Sequence, residues 1–253
     1  MLPALPAGFE AELPSGGKVF LHHREDIGLV VLLSGGFELA ETASAVELAR
    51  SGTTAIDVGA NVGMFTVPLA LAVGAEGRVL AIEPSPESTQ RIEQNVRLNR
   101  LDNVIVRQVA VSDQPGELLL RLGDDPAFHS TTAVAESRGV DEGVVVRAET
   151  LDGLWMSAGE PEVSFVKIDT EGGELDVLRG ATRLMSEQRP SLLVEAKGAE
   201  RERELDALLE PWSYTRTRGR GFALGNFLCL PVGPDEARYD REHSDKGDRD
   251  DGM

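Results

Sequence analysis

The stretch Ala55-Ile56-Asp57-Val58-Gly59-Ala60-Asn61-Val62-Gly63 decides how this chain is read. Thr54 to Val58 has the length and apolar content of a short buried strand, and Met64 to Val73 is an apolar run of helical length. The quoted residues therefore span a strand-to-helix turn. In doubly wound α/β sheets, ligands bind in the crevice beyond the carboxyl ends of the strands, and such a turn lines it. Gly59 and Gly63 permit close backbone approach to a ligand. Asp57 adds a carboxylate where a phosphate-binding loop would want none, and the dinucleotide spacing G-x-G-x-x-G is missing because position 61 is Asn.

Downstream, strands and helices alternate. Arg78 to Ile82, Val104 to Val109, Val163 to Ile168, Ser191 to Glu195 and Phe222 to Leu230 read as strands. Glu87 to Asn99, Glu174 to Gln188 and Ala199 to Leu209 read as helices between them. That rhythm implies right-handed βαβ units and a mainly parallel sheet over residues 51–233. Residues 117–122 and 144–147 form an expected hairpin around a polar loop, 123–143, which contains His129. Residues 1–50 form an expected N-terminal extension or lid. It has strand-like runs at Lys18 to His22 and Leu29 to Leu33 around a polar turn, then a helix from Thr42 to Arg50. Residues 234–253 are charged and almost devoid of apolar side chains, the composition of a disordered acidic tail.

The formal net charge of −18 argues against a nucleic-acid partner, which a protein grips through a basic face. Arg216, Arg218 and Arg220 read as one exposed strand face and its turn. No apolar run reaches the roughly 18–20 residues of a membrane span, and the start of the chain lacks the basic and apolar regions of a secretory signal. With Cys229 as the single cysteine, a cytoplasmic location is the expectation. Cys229 falls in an expected strand, where it packs rather than attacks.

Asp57 beside glycines suits a ligand with a cationic ammonium and no phosphates, the description of the methionine end of S-adenosylmethionine. The alternative is a plain turn. Glu83, at the tip of the next strand in Ile82-Glu83-Pro84, is placed to accept hydrogen bonds from a ribose. These motifs, together with Val109-Ala110-Val111-Ser112-Asp113, Val166-Lys167-Ile168-Asp169-Thr170-Glu171-Gly172, Glu174 to Gly180, Leu192 to Glu195 and Asn226-Phe227-Leu228, resemble the FkbM-type methyltransferases over roughly residues 27–231. The resemblance implies a Rossmann-like sheet of seven strands, the last antiparallel. It also implies S-adenosylmethionine as donor and O-methylation of a secondary-metabolite or glycan hydroxyl. Carried over, Asp57, Gly59, Asn61 and Gly63 hold the methionine portion, Glu83 the ribose, and Val109-Ala110 the adenine.

Asp169 and Glu195 end adjacent strands at the crevice. A hydroxyl acceptor must lose a proton, so these two carboxylates are candidates for a direct base or for ligands of Mg²⁺. Glu171 shares their crevice or serves the start of the following helix. His129 is the histidine candidate for acceptor contact or proton transfer. The acceptor is expected to be a small molecule held by residues 1–50 and 123–143, without nucleic acid or membrane, and a homodimer is the assembly considered. The rival functions are methylation of RNA or protein, and a module that binds the cofactor without turnover.

Overall fold

The computed structural model describes residues 8–23, 25–121, 130–133 and 143–233. Its centre is the expected α/β sheet. Strands β3 (Thr54–Val58), β4 (Arg78–Ile82), β5 (Val104–Arg107), β10 (Val163–Ile168), β11 (Ser191–Glu195), β12 (Tyr214–Thr217) and β13 (Asn226–Pro231) lie in the order β12-β13-β11-β10-β3-β4-β5. The pairs β11–β10, β10–β3, β3–β4 and β4–β5 are parallel, and β13 runs antiparallel to both its neighbours. β3 and β10 are buried along their whole length, as central parallel strands covered on both faces must be.

Helices α3 (Thr66–Val73), α4 (Pro86–Leu98) and α8 (Ala199–Leu209) cross between the strands. α4 starts sharply because Ser85 accepts from the Ser88 N–H and Pro86 fills the first helical position. The expected helix over 174–188 is two pieces, α6 (Glu174–Arg179) and α7 (Thr182–Gln188), broken at Gly180. There the backbone passes so close to Ser112 that a Cβ would lie 2.2 Å from its carbonyl oxygen. A short helix α5 (Leu151–Ser157), unremarked in the sequence, is capped by the Thr150 hydroxyl.

The strand expected over 104–109 ends at Arg107, and Ala110–Val111 (β6) belongs to a second sheet. That sheet has the order β6, β9 (Val144–Glu149), β7 (Gly116–Arg121), β8 (Ser130–Ala133). Its hairpin pairs β7 with β9 as anticipated. The stretch read as a polar loop contributes a further strand, β8. His129 and the tail 234–253 lie outside the described residues.

The largest departure from the sequence reading is near the N-terminus. β1 (Gly8–Glu12) and β2 (Lys18–His22) pair as a hairpin, but Leu29 to Leu33 belong to a helix, α1 (Asp26–Ser34), not a strand. The run is apolar at every position, so it carries no period-two signal. In a helix, Ile27 and Val31, four apart, share one buried face. Gly28 lets α1 sit on the end of β2, since a Cβ there would lie 1.9 Å from the His22 carbonyl oxygen. Glu25, just ahead of α1, accepts from Arg91 of α4 at 2.5 Å and lies 3.2 Å from His22 Nδ1. α2 (Leu39–Leu48) follows at a bend of 93°. Among the described residues no single helix is long and apolar enough to cross a membrane.

Candidate active site

A cavity of about 440 Å³ opens at the carboxyl ends of β3, β4, β10 and β11. The turn after β3 forms one end of it. Gly59 adopts φ 76°, and a Cβ at this position would sit 1.7 Å from the carbonyl oxygen of Asp169, so only glycine lets the β3 and β10 tips approach. Gly59 and Ala60 both donate to the Ile82 carbonyl. Asn61 is left-handed at φ 49° and presents its N–H to Glu83 Oε2 at 3.0 Å. Glu83 Oε1 accepts from the Ser85 N–H at 3.0 Å. Burial holds the Glu83 carboxyl above its ordinary range, against the pull of those two N–H groups. Gly59, Ala60, Asn61, Glu83 and Ala110 all line the cavity.

Two residues assigned to the same end do not reach it. Gly63 serves the turn itself, donating to Ala60 and accepting from Val67. Asp57 is fully buried beneath the floor, where Oδ2 accepts from the Thr66 hydroxyl at 2.6 Å and Oδ1 has no hydrogen-bond partner. Its nearest cation is Lys167, whose Nζ lies 3.7 Å from Oδ1. Burial raises the Asp57 carboxyl, and Lys167 and Thr66 oppose that rise.

Lys167 is the residue that the sequence reading left without a role. It sits one residue from the carboxyl end of β10 with almost no exposure, and its ammonium donates to the Gly59 carbonyl at 3.2 Å. It also lies 3.5 Å from Asp169 Oδ2 and 5.1 Å from the centre of the Phe65 ring. Burial pulls its pKa down, but Asp169, Asp57 and Glu38 together push it above the ordinary lysine value, so the ammonium stays charged. A lysine inside a buried strand must have anionic partners, and that signal was present in Val163 to Ile168.

The opposite wall bears the other predicted carboxylates. Asp169, Glu171 and Glu195 each offer an oxygen within 4.8 Å of the others. Lys197 Nζ stands 2.8 Å from Glu195 and 3.8 Å from Glu171. Burial and the neighbouring Asp169 push the Glu195 carboxyl up to about 7 despite Lys197. The pair Asp169 and Glu195, expected as a base or metal ligands, is thus brought together, but each already faces an ammonium. The acid that serves the next helix is Glu174, whose Oε1 accepts from the Thr170 and Gly172 N–H groups; Glu171 stays at the cavity.

Glu38 also lines this space, and nothing in Gly36-Phe37-Glu38-Leu39 announced it. Its backbone is left-handed at φ 43° and ψ 52°, and one carboxylate oxygen accepts from Asn226 Nδ2 at 3.1 Å. Burial, opposed by Lys167, carries its carboxyl up to about 7.

Outside the cavity, Arg216 is half-buried rather than on an open strand face, stacked 4.3 Å from the Phe227 ring and bridged to Glu202 and Asp206. Cys229 is buried in β13 with its thiol pushed up to about 12 by that burial, which leaves it unsuited to nucleophilic attack.

Comparison with known proteins agrees with this architecture. Methyltransferase sdnD of Sordaria araneosa is 27% identical over 194 residues, covering 65% of this chain and 74% of its own length. Methyltransferase 1 of Beauveria bassiana is 25% identical over 142 residues, and this chain spans only 57% of its length. Among solved structures, Trm5b of Pyrococcus abyssi superposes with a TM-score of 0.50 at 13% identity, covering 89% of this chain and 55% of that one, a likeness of fold alone. The methyltransferase FkbM of Methylobacillus flagellatus is 19% identical, with a TM-score of 0.48 over 76% of this chain and 50% of that one. The family model of the methyltransferase FkbM domain matches residues 57–222, which contain the whole glycine turn, Glu83, Lys167 and the strand-tip carboxylates, and the chain belongs to that family.

Proposed function

We propose that this protein transfers a methyl group from S-adenosylmethionine to a hydroxyl of a small molecule, a secondary metabolite or a sugar. The observation that carries the reading is one cavity with two chemically distinct ends: the Gly59–Asn61 turn with Glu83 at one, and Asp169 and Glu195 at the other. The donor set suits that cofactor. Glu83 offers carboxylate oxygens for ribose hydroxyls, and Ala110 with its neighbours gives an apolar lining for adenine. Asn61 Oδ1, buried without a hydrogen-bond partner at this end, offers an acceptor to a cationic amino-acid end.

When bound, the cofactor supplies an electrophilic methyl on a sulfonium. The protein's own residues position the acceptor and receive its proton, and most of the acceleration comes from that positioning. Lys167 holds Asp169 against the Gly59 turn. Lys197 pairs with Glu195 and lies near Glu171, which offsets one of their two charges. Calorimetric titration with S-adenosylhomocysteine, and separately with NAD, tests the proposal. Micromolar binding of the first with no signal from the second is expected; the reverse, or no binding of either, overturns it. Tritium from labelled cofactor should enter the small-molecule fraction of a lysate and not its macromolecules.

A further inference from the structure

Once the cofactor end is assigned to the Gly59 turn, Glu83 and Ala110, the rest of the cavity has two faces. One is the carboxylate wall at the tips of β10 and β11. The other comes from residues that precede the family match at 57–222, namely Asp26, Ile27, Leu29 and Val30 of α1, then Phe37 and Glu38.

Between the acidic Asp26 at its start and Glu38 at its end, this second face is apolar. α1 has the sequence Asp26-Ile27-Gly28-Leu29-Val30-Val31-Leu32-Leu33-Ser34, with polar side chains only at its ends. An ordinary surface helix turns charged residues outward, as α4 does. Instead, α1 leaves Leu29 and Val30 at 45% and 42% exposure while they line the cavity, and Leu32 and Leu33 at 58% and 77% beyond them. A contiguous apolar strip that leads from solvent into a cavity marks a place where an apolar ligand lies. The helix is also pinned, by the buried Arg91–Glu25 pair and by Gly28 against β2, so the strip is a fixed wall.

At the inner end of the strip stands Glu38. Its left-handed backbone, costly for a non-glycine residue, turns the side chain toward the β13 amide of Asn226, and such strain persists where the surroundings impose it. The groups that face it are Lys167 and Asp169 from β10 and its end, Glu41 from α2, and Asn226 from β13. Among the described residues no cation lies within ion-pair distance of Glu38, whereas Asp169 faces Lys167 and Glu195 faces Lys197. Of the carboxylates Glu38, Asp169 and Glu195, Glu38 is therefore the one whose hydrogen-bond partner is a neutral amide, with Lys167 acting on it only from beyond ion-pair distance.

We propose that α1 and Phe37–Glu38 form the acceptor subsite, which takes an alcohol with an apolar body lying on Leu29, Val30 and Phe37 and with its hydroxyl on Glu38. In the transfer step the hydroxyl oxygen bonds to the methyl carbon, the carbon–sulfur electron pair stays with sulfur to leave a neutral thioether, and the hydroxyl proton passes to the Glu38 carboxylate. The inference rests on the methyltransferase reading above.

The test uses the whole chain saturated with S-adenosylhomocysteine and titrated with straight-chain alkan-1-ols from butan-1-ol to octan-1-ol. Affinity should rise about fourfold per added methylene, as burial of a CH₂ group dictates. Val30→Asp, at an exposed position that the fold tolerates, should flatten the series while leaving S-adenosylhomocysteine binding intact. Octan-1-ol should bind about tenfold more tightly than its isomer 1-methoxyheptane, which has no proton to give a carboxylate. That preference should be present at pH 8, fall away below pH 6 as Glu38 protonates, and be absent in Glu38→Leu. A flat series, or equal binding of alcohol and ether at pH 8, overturns the inference while the cofactor reading stands. Failure to bind S-adenosylhomocysteine at all overturns the cofactor reading first, and this inference with it.

Discussion

At the β3–β4 end of the cavity the backbone does the holding: Gly59 and Ala60 donate to Ile82, Asn61 and Ser85 donate to Glu83, and the Gly59 carbonyl accepts from Lys167. At the α1 end side chains do it, with exposed leucines leading to a carboxylate on a strained backbone. The first arrangement fixes its groups through main-chain hydrogen bonds and suits a ligand of constant shape. The second offers area and one polar contact, and suits a ligand that could differ from one family member to the next. A methyltransferase needs both, because its donor is invariant and its acceptor is not.

The contrast can be broken hardest at Lys167. Replacement by Met removes the ammonium that Asp57, Asp169 and the Gly59 carbonyl share, and leaves buried carboxylates uncompensated. Stability should fall by about 3–5 kcal/mol in urea denaturation. A loss under about 1 kcal/mol would mean that the two ends of the cavity are not braced through this residue. Gly59→Ala should come next, with a loss of about 2–4 kcal/mol, because the new methyl meets the Asp169 carbonyl and the φ of 76° is strained for alanine.

Glu83→Ala should weaken S-adenosylhomocysteine binding about tenfold to a hundredfold in calorimetry, and it frees the Asn61 and Ser85 N–H groups, so some stability goes with it. Leu33→Ser on the opposite end should change stability by no more than about 0.5 kcal/mol, since Leu33 is 77% exposed. A large loss there would show that α1 is a structural element rather than a wall for a ligand.

The smallest effect concerns pH. Glu38 has its folded pKa raised to about 7 from an ordinary 4.5, so the folded protein holds that proton more tightly than the unfolded chain. Its contribution to stability is greatest below pH 4.5, declines as pH rises from there to about 7, and is flat beyond. Glu38→Gln mimics the protonated form, so relative to wild type it should be more stable at pH 8 than at pH 5. A difference that does not change with pH would remove burial as the source of the Glu38 shift.

The sequence by itself determined the central sheet, the glycine turn and the strand-tip acids. Each is local: a period of apolar residues, a glycine where the chain must turn, an acid directly after a buried run. The same locality explains the misplacements. Asp57 follows the motif but lies under the floor, because it is still inside the buried strand and its carboxylate faces Thr66 of α3 and Lys167 of β10. Leu29 to Leu33 has no period at all, so only packing on β2, through Gly28 and the inward pair Ile27 and Val31, made it a helix. Lys167 was legible as an anomaly in a buried strand, but its partners were not, since they come from β3 and from the chain beyond the end of β10. Glu38 was not legible in any form. Its chemistry comes from burial, from an amide 188 residues away on β13, and from the charges of β10, none of which a stretch of sequence contains. What is local in the chain can be read from it, whereas the environment of a titratable group is a sum over distant neighbours, and only the tertiary structure brings those together.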